Sequence, residues 1–256
     1  MAASPGTVLI TGAARRIGRA IAIELARAGW AVAVHYHRSA EDAESLAREI
    51  AASGGRATAL AAALTDESAV QALVPRAAAA LGPVTCLVNN ASAFEPDTIA
   101  TVTRASWDTH METNLRAPLV LTQAFARALP SGAAGNVINI LDQRVWNPTP
   151  YFLSYTVGKA GLWMLTKTLA LALAPAIRVN AIGPGPTLPS ERQSAEHFAR
   201  QQRNTPLRRG PQPEEIGRAA RFILDSPSLT GQMIALDGGQ HLGWAMPESG
   251  APGPNE

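Results

Sequence analysis

Tyr155 and Lys159 stand four residues apart in Tyr155-Thr156-Val157-Gly158-Lys159, at the start of a stretch of helical period, so their side chains share one helix face. A lysine ammonium beside a phenol lowers its pKa and lets it exchange a proton nearer neutral pH. Lys159 and Lys167 are the only lysines in a chain otherwise rich in arginine. Burial can tune an ammonium as it cannot a guanidinium, so the residue type matters. Taken alone, the pair also fits an amphipathic helix with an exposed lysine.

A second constellation lies at the opposite end of the chain. Thr11-Gly12-Ala13-Ala14-Arg15-Arg16-Ile17-Gly18 follows a strand-like run and leads into a helical one. Glycines permit a tight turn and close helix–strand packing there, and the helix N-terminus offers free N–H groups to a pyrophosphate. The second strand ends in His35-Tyr36-His37-Arg38-Ser39, where an NAD site would carry an acid for the ribose hydroxyls. No acid stands there. Arg38, Ser39 and Arg16 can converge instead on a ribose 2′-phosphate, which favours NADPH over NADH; the competing reading is a set of solvated surface arginines.

These groups need a scaffold, and the sequence spells one. Short β-branched runs alternate with Ala-rich stretches of helical period, the pattern of a parallel sheet covered by helices on both faces. Strands are expected at Val8–Thr11, Ala31–Tyr36, Arg56–Ala62, Val84–Asn89, Asn136–Leu141, Arg178–Ile182 and Met233–Leu236, which makes seven. Helices are expected at Arg16–Ala28, Ala40–Ser53, Glu67–Leu81, Ser106–Leu129, Phe152–Leu173 and Pro213–Leu224. Residues 183–212, rich in Pro, Arg, Gln and Ser, read as a substrate-covering lid, and 247–256 as a flexible tail on one domain spanning 1–246. No fixed-period repeat is present.

With 256 residues, 46% apolar and 16% charged, the chain is neither disordered nor composed like a membrane protein. A net charge of +2 requires neither nucleic acid nor an anionic membrane as partner. The single cysteine, Cys86, excludes an intrachain disulfide, and no export signal precedes the first strand, so a reducing cytoplasm is expected. The apolar stretch 160–177 is interrupted by Thr166, Lys167 and Thr168 and reads as a buried or oligomer-facing helix. No metal is expected.

In order, Thr11-Gly12…Gly18, Asn89-Asn90-Ala91, Asn114, Tyr155…Lys159, Arg178-Val179-Asn180, Pro184-Gly185 and Asp237-Gly238-Gly239 resemble the short-chain dehydrogenase/reductases over nearly the whole length. The resemblance implies an α/β fold, a Rossmann-type doubly wound, mostly parallel seven-stranded sheet, and a homotetramer. It implies that Tyr155 is the proton donor, that Lys159 binds the nicotinamide ribose and lowers the phenol pKa, and that Asn114 supports a water relay behind them. The cofactor is expected against Gly12, Arg16, Ile17, Gly18, His37, Arg38, Ser39, Leu64, Asn90, Ala91, Pro184 and Gly185, with Tyr155 and Lys159.

Three departures narrow the expectation. Asp142 stands thirteen positions before the tyrosine, where most of the family has a serine. A carboxylate opposes the negative charge of a reduced ketone, whereas an imine-type ring nitrogen needs a proton that an acid and a phenol can supply. Arg16 replaces the middle glycine of the turn, and Ala63 stands where an adenine-contacting Asp is usual. Arg16, the His-Tyr-His-Arg-Ser run, Asp142 and Phe94 after Asn-Asn-Ala together resemble the pteridine reductases. By that resemblance Ser92, Phe94, Asp142 and Tyr155 contact substrate, the Phe94 ring holding a flat pterin against the nicotinamide; a buried core aromatic is the alternative. The expected activity is NADPH-dependent reduction of a pterin or dihydrofolate-type ring. A carbonyl reductase acting on a 3-oxoacyl thioester, sugar or cyclic ketone is the alternative, and a nucleotide-sensing protein a third.

Overall fold

Strand β1 (Thr7–Ile10) is four consecutive buried residues, and alternation along it divides the interior in two. Val8 and Ile10 face α1 (Arg16–Arg27), α2 (Ala40–Ala52) and α8 (Pro213–Leu224), packing with Ile21, Leu25, Leu46 and Ile216. Leu9 faces the other way, into a cluster with Leu73 and Val74 of α3 (Glu67–Leu81) and Leu121 and Phe125 of α5 (Ala117–Ala128). Burial on both faces is what a central parallel strand requires.

The computed structural model describes residues 5–243. Around β1 lie β2 (Ala31–Tyr36), β3 (Ala57–Ala61), β4 (Val84–Asn89), β5 (Gly135–Ile140), β6 (Ile177–Pro184) and β7 (Met233–Leu236). They form one sheet in the order β3-β2-β1-β4-β5-β6-β7, every pair parallel. The expected seven strands are all present. The winding reverses between β1 and β4, and a crevice opens at the carboxyl ends of these strands, where open α/β sheets bind ligands.

Two expectations change. The helix expected over 106–129 is α4 (Arg104–Met111) and α5 joined by a wide π turn, Glu112–Arg116, whose one fully buried residue is Asn114. The lid segment contains a helix of its own, α7 (Ala195–Arg203), whose start is capped by Ser194 Oγ accepting from the His197 N–H at 3.2 Å. Its sequence, AEHFARQQR, is polar overall and buries no residue, so it lacks the wide apolar face of the core helices. Helix α6 (Leu153–Leu173) carries the tyrosine and lysine on its first turns. The expected tail, 247–256, lies outside the described residues, among which no helix is long and apolar enough to cross a membrane.

Candidate active site

At the cofactor end, Gly12 has φ +60° and lies against the backbone of Ala91. A Cβ on Gly18 would fall 2.3 Å from the Gly12 carbonyl oxygen, so only glycine lets α1 approach the turn. Arg16, in place of the family's middle glycine, keeps the glycine-like backbone with φ 57°. Asn90 ties the turn together: its Nδ2 donates to the carbonyls of Thr11 at 2.8 Å and Gly12 at 3.1 Å. The N–H groups of Asn90 and Ala91 both donate to Thr11 Oγ1, at 2.9 and 3.0 Å.

His35 is a residue that sequence reasoning passes over. Its Nδ1 accepts from the Gly12 N–H at 3.0 Å and its Nε2 donates to the Ala62 carbonyl at 3.1 Å, so the neutral ring bridges β2, β3 and the glycine turn. Burial pushes its pKa down to about 4 against the weaker opposing pull of that carbonyl. The neighbouring Arg15 corrects a second point. Arg15, not Arg16, hydrogen-bonds Ser39 and pairs with Asp42 at 3.5 Å, whereas Arg16 reaches the Leu188 carbonyl at 3.3 Å. Side chains at successive helix-start positions diverge, and residue spacing alone does not reveal which one turns toward β2.

All the expected cofactor contacts line a single cleft of about 1030 Å³: Gly12, Arg16, Ile17, Gly18, His37, Arg38, Ser39, Leu64, Asn90, Ala91, Pro184 and Gly185, together with Ser92, Phe94, Asp142, Tyr155 and Lys159. The adenine-side position Ala63 is not among its lining residues, but Leu64 and Thr65 are. Gly185 passes so close to Asp237 that a Cβ would fall 2.6 Å from its Cα, which accounts for a glycine at the end of β6. Asp237 in turn accepts from Gly239 N at 2.9 Å and His241 N at 2.7 Å, so the Asp-Gly-Gly motif braces that end of the sheet.

At the catalytic end the Tyr155 hydroxyl donates to Asp142 Oδ2 at 2.9 Å. Burial, then the Asp142 carboxylate, holds the phenol well above its usual pKa. Lys159 is buried, its ammonium donates to the Ile140 carbonyl at 2.8 Å, and burial pushes its pKa down to about 8 although Asp142 works against this. Nζ lies 5.8 Å from the tyrosine ring centroid. Arg144, a residue the sequence reading does not single out, pulls the phenol pKa down.

The Asn114 side chain is held against the loop after β4. Its Oδ1 accepts from the Ala93 N–H at 2.8 Å and from Ser92 Oγ at 3.2 Å, while its Nδ2 donates to the Ala93 carbonyl at 2.9 Å. The side-chain amide therefore clamps the loop after β4. Two residues after Ala93, the Glu95 N–H donates to His110 Nε2 at 3.0 Å, and His110 Nδ1 donates to Ser154 Oγ at 2.7 Å. Ser154 Oγ donates to Asp97, which also accepts from the Ser154 N–H at 3.1 Å. Phe94 is held between these clamps, stacked on Phe152 at 4.5 Å and 7° and edge-on to Tyr155 at 4.7 Å. Arg192 of the lid donates to the Phe94 carbonyl at 2.7 Å and pairs with Glu95 at 3.0 Å.

The short chain dehydrogenase family model matches residues 6–199. The chain belongs to that family. Among curated relatives, a 3-oxoacyl-[acyl-carrier-protein] reductase of Synechocystis sp. is 32% identical over 237 residues, covering 90% of this chain and 95% of the relative. Among solved structures, FolM alternative dihydrofolate reductase 1 from Brucella suis in complex with NADP is 50% identical with a TM-score of 0.92, covering 95% of this chain and 98% of that one. The protein of the same description from Brucella canis, complexed with NADP, is 49% identical with a TM-score of 0.93, covering 96% and 98%. Within the short-chain dehydrogenases, then, this chain is similar both to carbonyl reductases and, at higher identity, to dihydrofolate reductases.

Proposed function

We propose that this chain uses NADPH to reduce a carbon–nitrogen double bond in a dihydropterin or dihydrofolate-type ring. The observation that carries the reading is the 2.9 Å bond from the Tyr155 hydroxyl to Asp142 at the floor of the cleft. A carboxylate at that place suits a nitrogen that must gain a proton better than an oxygen that must hold negative charge. The 50% and 49% identical dihydrofolate reductases support the substrate class.

The cleft fits the cofactor. Gly18 admits close approach to the turn, Arg15 as N-cap leaves the first N–H groups of α1 without a side-chain cap, and Arg15, Arg38 and Ser39 all line the cleft and would hold a 2′-phosphate. When bound, NADPH supplies the hydride. Tyr155 holds the proton for the ring nitrogen, since its raised pKa keeps it protonated at neutral pH. Lys159, fixed on the Ile140 carbonyl, presents an ammonium to the nicotinamide ribose. Asn114 positions Ala93, and through it Phe94, as the aromatic wall against which a flat ring stacks. Residues 183–212 cover the substrate as a lid of one domain, with Leu188, Ser190, Gln193 and Phe198 lining the cleft. The homotetramer is part of this reading, with Val157, Met164 and Leu171 exposed at seven-residue intervals along α6. So is a cytoplasmic location, with Cys86 buried and reduced.

NADPH oxidation by the purified chain with dihydrobiopterin, dihydromonapterin and dihydrofolate tests the substrate, with NADH run in parallel. Turnover of at least one is expected, and turnover of none overturns the reading. The second reading, a carbonyl reductase, is favoured by the 32% identical 3-oxoacyl reductase, and comparable turnover of an acetoacetyl thioester decides for it.

A further inference from the structure

Arg144 is only 4% exposed, yet it sits in the catalytic end of the cleft, two residues after Asp142 on the short turn that follows β5. Burying a guanidinium costs free energy unless its donors and charge are met, and here the side chain is held from several directions. Nη1 donates to Thr149 Oγ1 at 2.7 Å, and the guanidinium lies over the Phe152 ring, 5.1 Å from its centroid. Its backbone N–H donates to Asp142 Oδ1 at 2.8 Å, and its Nε is 3.9 Å from Asp142 Oδ2. That second oxygen is the one that accepts from the Tyr155 hydroxyl. Lys159, the other buried cation nearby, spends its ammonium on the Ile140 carbonyl.

We propose that Arg144 is the charge-balancing and positioning partner of the Asp142–Tyr155 pair, orienting the carboxylate and stabilising the negative charge that collects on the phenol oxygen during proton delivery. The inference rests on the reading of Tyr155 as proton donor. In that step the Tyr155 O–H bond breaks and its electron pair stays on oxygen. The substrate nitrogen, which gains the electron pair of the C=N bond as hydride adds to carbon, forms the new N–H bond. Arg144 keeps all its protons. Burial and Asp142 both raise the phenol pKa, and Arg144 is the group that works against them. The remaining ring nearby, His110, stands 6.1 Å from the Tyr155 ring, and burial lowers its pKa, so it contributes little charge at neutral pH. The carboxylate that distinguishes this chain from serine-bearing relatives thus comes with its own counter-charge, encoded as Asp142-Gln143-Arg144.

Arg144→Gln and Arg144→Lys, assayed with NADPH and a dihydropterin in H₂O and D₂O, test this. Arg144→Gln is expected to lower kcat by about tenfold or more and to raise the solvent isotope effect on kcat. KM for substrate and Kd for NADPH should stay within about twofold, and Arg144→Lys should recover most of kcat, because the charge is restored. An unchanged kcat in Arg144→Gln overturns the proposal. So does a loss that tracks NADPH affinity or melting temperature with no change in isotope effect, or a lysine variant no better than glutamine. Wild-type turnover of an acetoacetyl thioester and of no dihydropterin overturns the substrate reading alone, and the same variant comparison then runs on that thioester.

Discussion

Asp142 and Tyr155, thirteen residues apart, meet across the mouth of β5 and the first turn of α6, with the phenol donating to carboxylate Oδ2 at 2.9 Å. The bond aims the hydroxyl and raises its pKa at once, so the two side chains act as one unit. Removing the phenol oxygen should therefore leave binding intact and stop proton delivery. Tyr155→Phe is expected to lower kcat by about 10²–10⁴-fold, the usual worth of a positioned acid. Fluorescence titration should return an NADPH Kd close to wild type.

Replacing the carboxylate tests specificity. Asp142→Ser exchanges an acceptor for a hydroxyl that can donate to a developing alkoxide, so kcat/KM for a dihydropterin relative to an acetoacetyl thioester should fall by about tenfold or more. Paired steady-state assays on the two substrates measure the ratio; an unchanged ratio removes Asp142 from the specificity argument.

Lys159 sets the alkaline side of the pH profile. Burial lowers its pKa to about 8, so its ammonium is present below that pH and lost as pH rises through it. kcat/KM should decline above about pH 8, against about 10.4 for a free lysine side chain. In Lys159→Arg, the remaining activity should be lower at neutral pH and show no such decline.

Arg15 should discriminate between the two nicotinamide cofactors. It bonds Ser39 beside Arg38, and one charge-assisted hydrogen bond is worth about 1.5–3 kcal/mol. Arg15→Ala should therefore raise KM for NADPH by about 10–100-fold and leave KM for NADH nearly unchanged.

His35 links stability to pH. Its native pKa of about 4 lies below the 6.5 of an exposed histidine, so the unfolded chain binds a proton between those values and the folded one does not. Stability is full above about pH 6.5 and falls as pH drops toward 4, by about 3 kcal/mol from this one group. Urea unfolding at pH 7 and pH 4.5 should show a difference about 2–3 kcal/mol smaller in His35→Gln than in wild type.

The sheet is legible in the sequence because each strand is a short apolar, β-branched run between turn residues, and the runs recur at crossover spacing. The β6 boundaries differ where Ile177 already pairs with Gly135 of β5 and where Gly183 and Pro184 continue to pair with Ala235 and Leu236 of β7, which composition does not reveal. Tyr155, Lys159, Asp142 and Phe94 are legible because their types are chemically particular, and the structure brings all four to one cleft. Arg144, His35 and His110 are not. Each owes its importance to burial, and nothing in a one-dimensional pattern separates a buried arginine from the solvated arginines that surround it in the sequence. Helix α7 is missed for the opposite reason, since it is polar overall and buries no residue in the core.

The wide turn at Glu112–Arg116 makes chain length there as consequential as chemistry. A π turn holds one residue more than an α-helical turn over the same rise, so it acts as a built-in insertion between α4 and α5. Deleting a single residue from it would let a regular helix run through with α4 and α5 in nearly the same phase, and would remove the widening that turns Asn114 inward. Asn114 would then lose its hold on Ala93, freeing one side of the wall that faces Tyr155. Substitutions at exposed Glu112 or Arg116 should be borne easily, while loss of either position should not: here the count of residues, more than their identity, is what selection has to preserve.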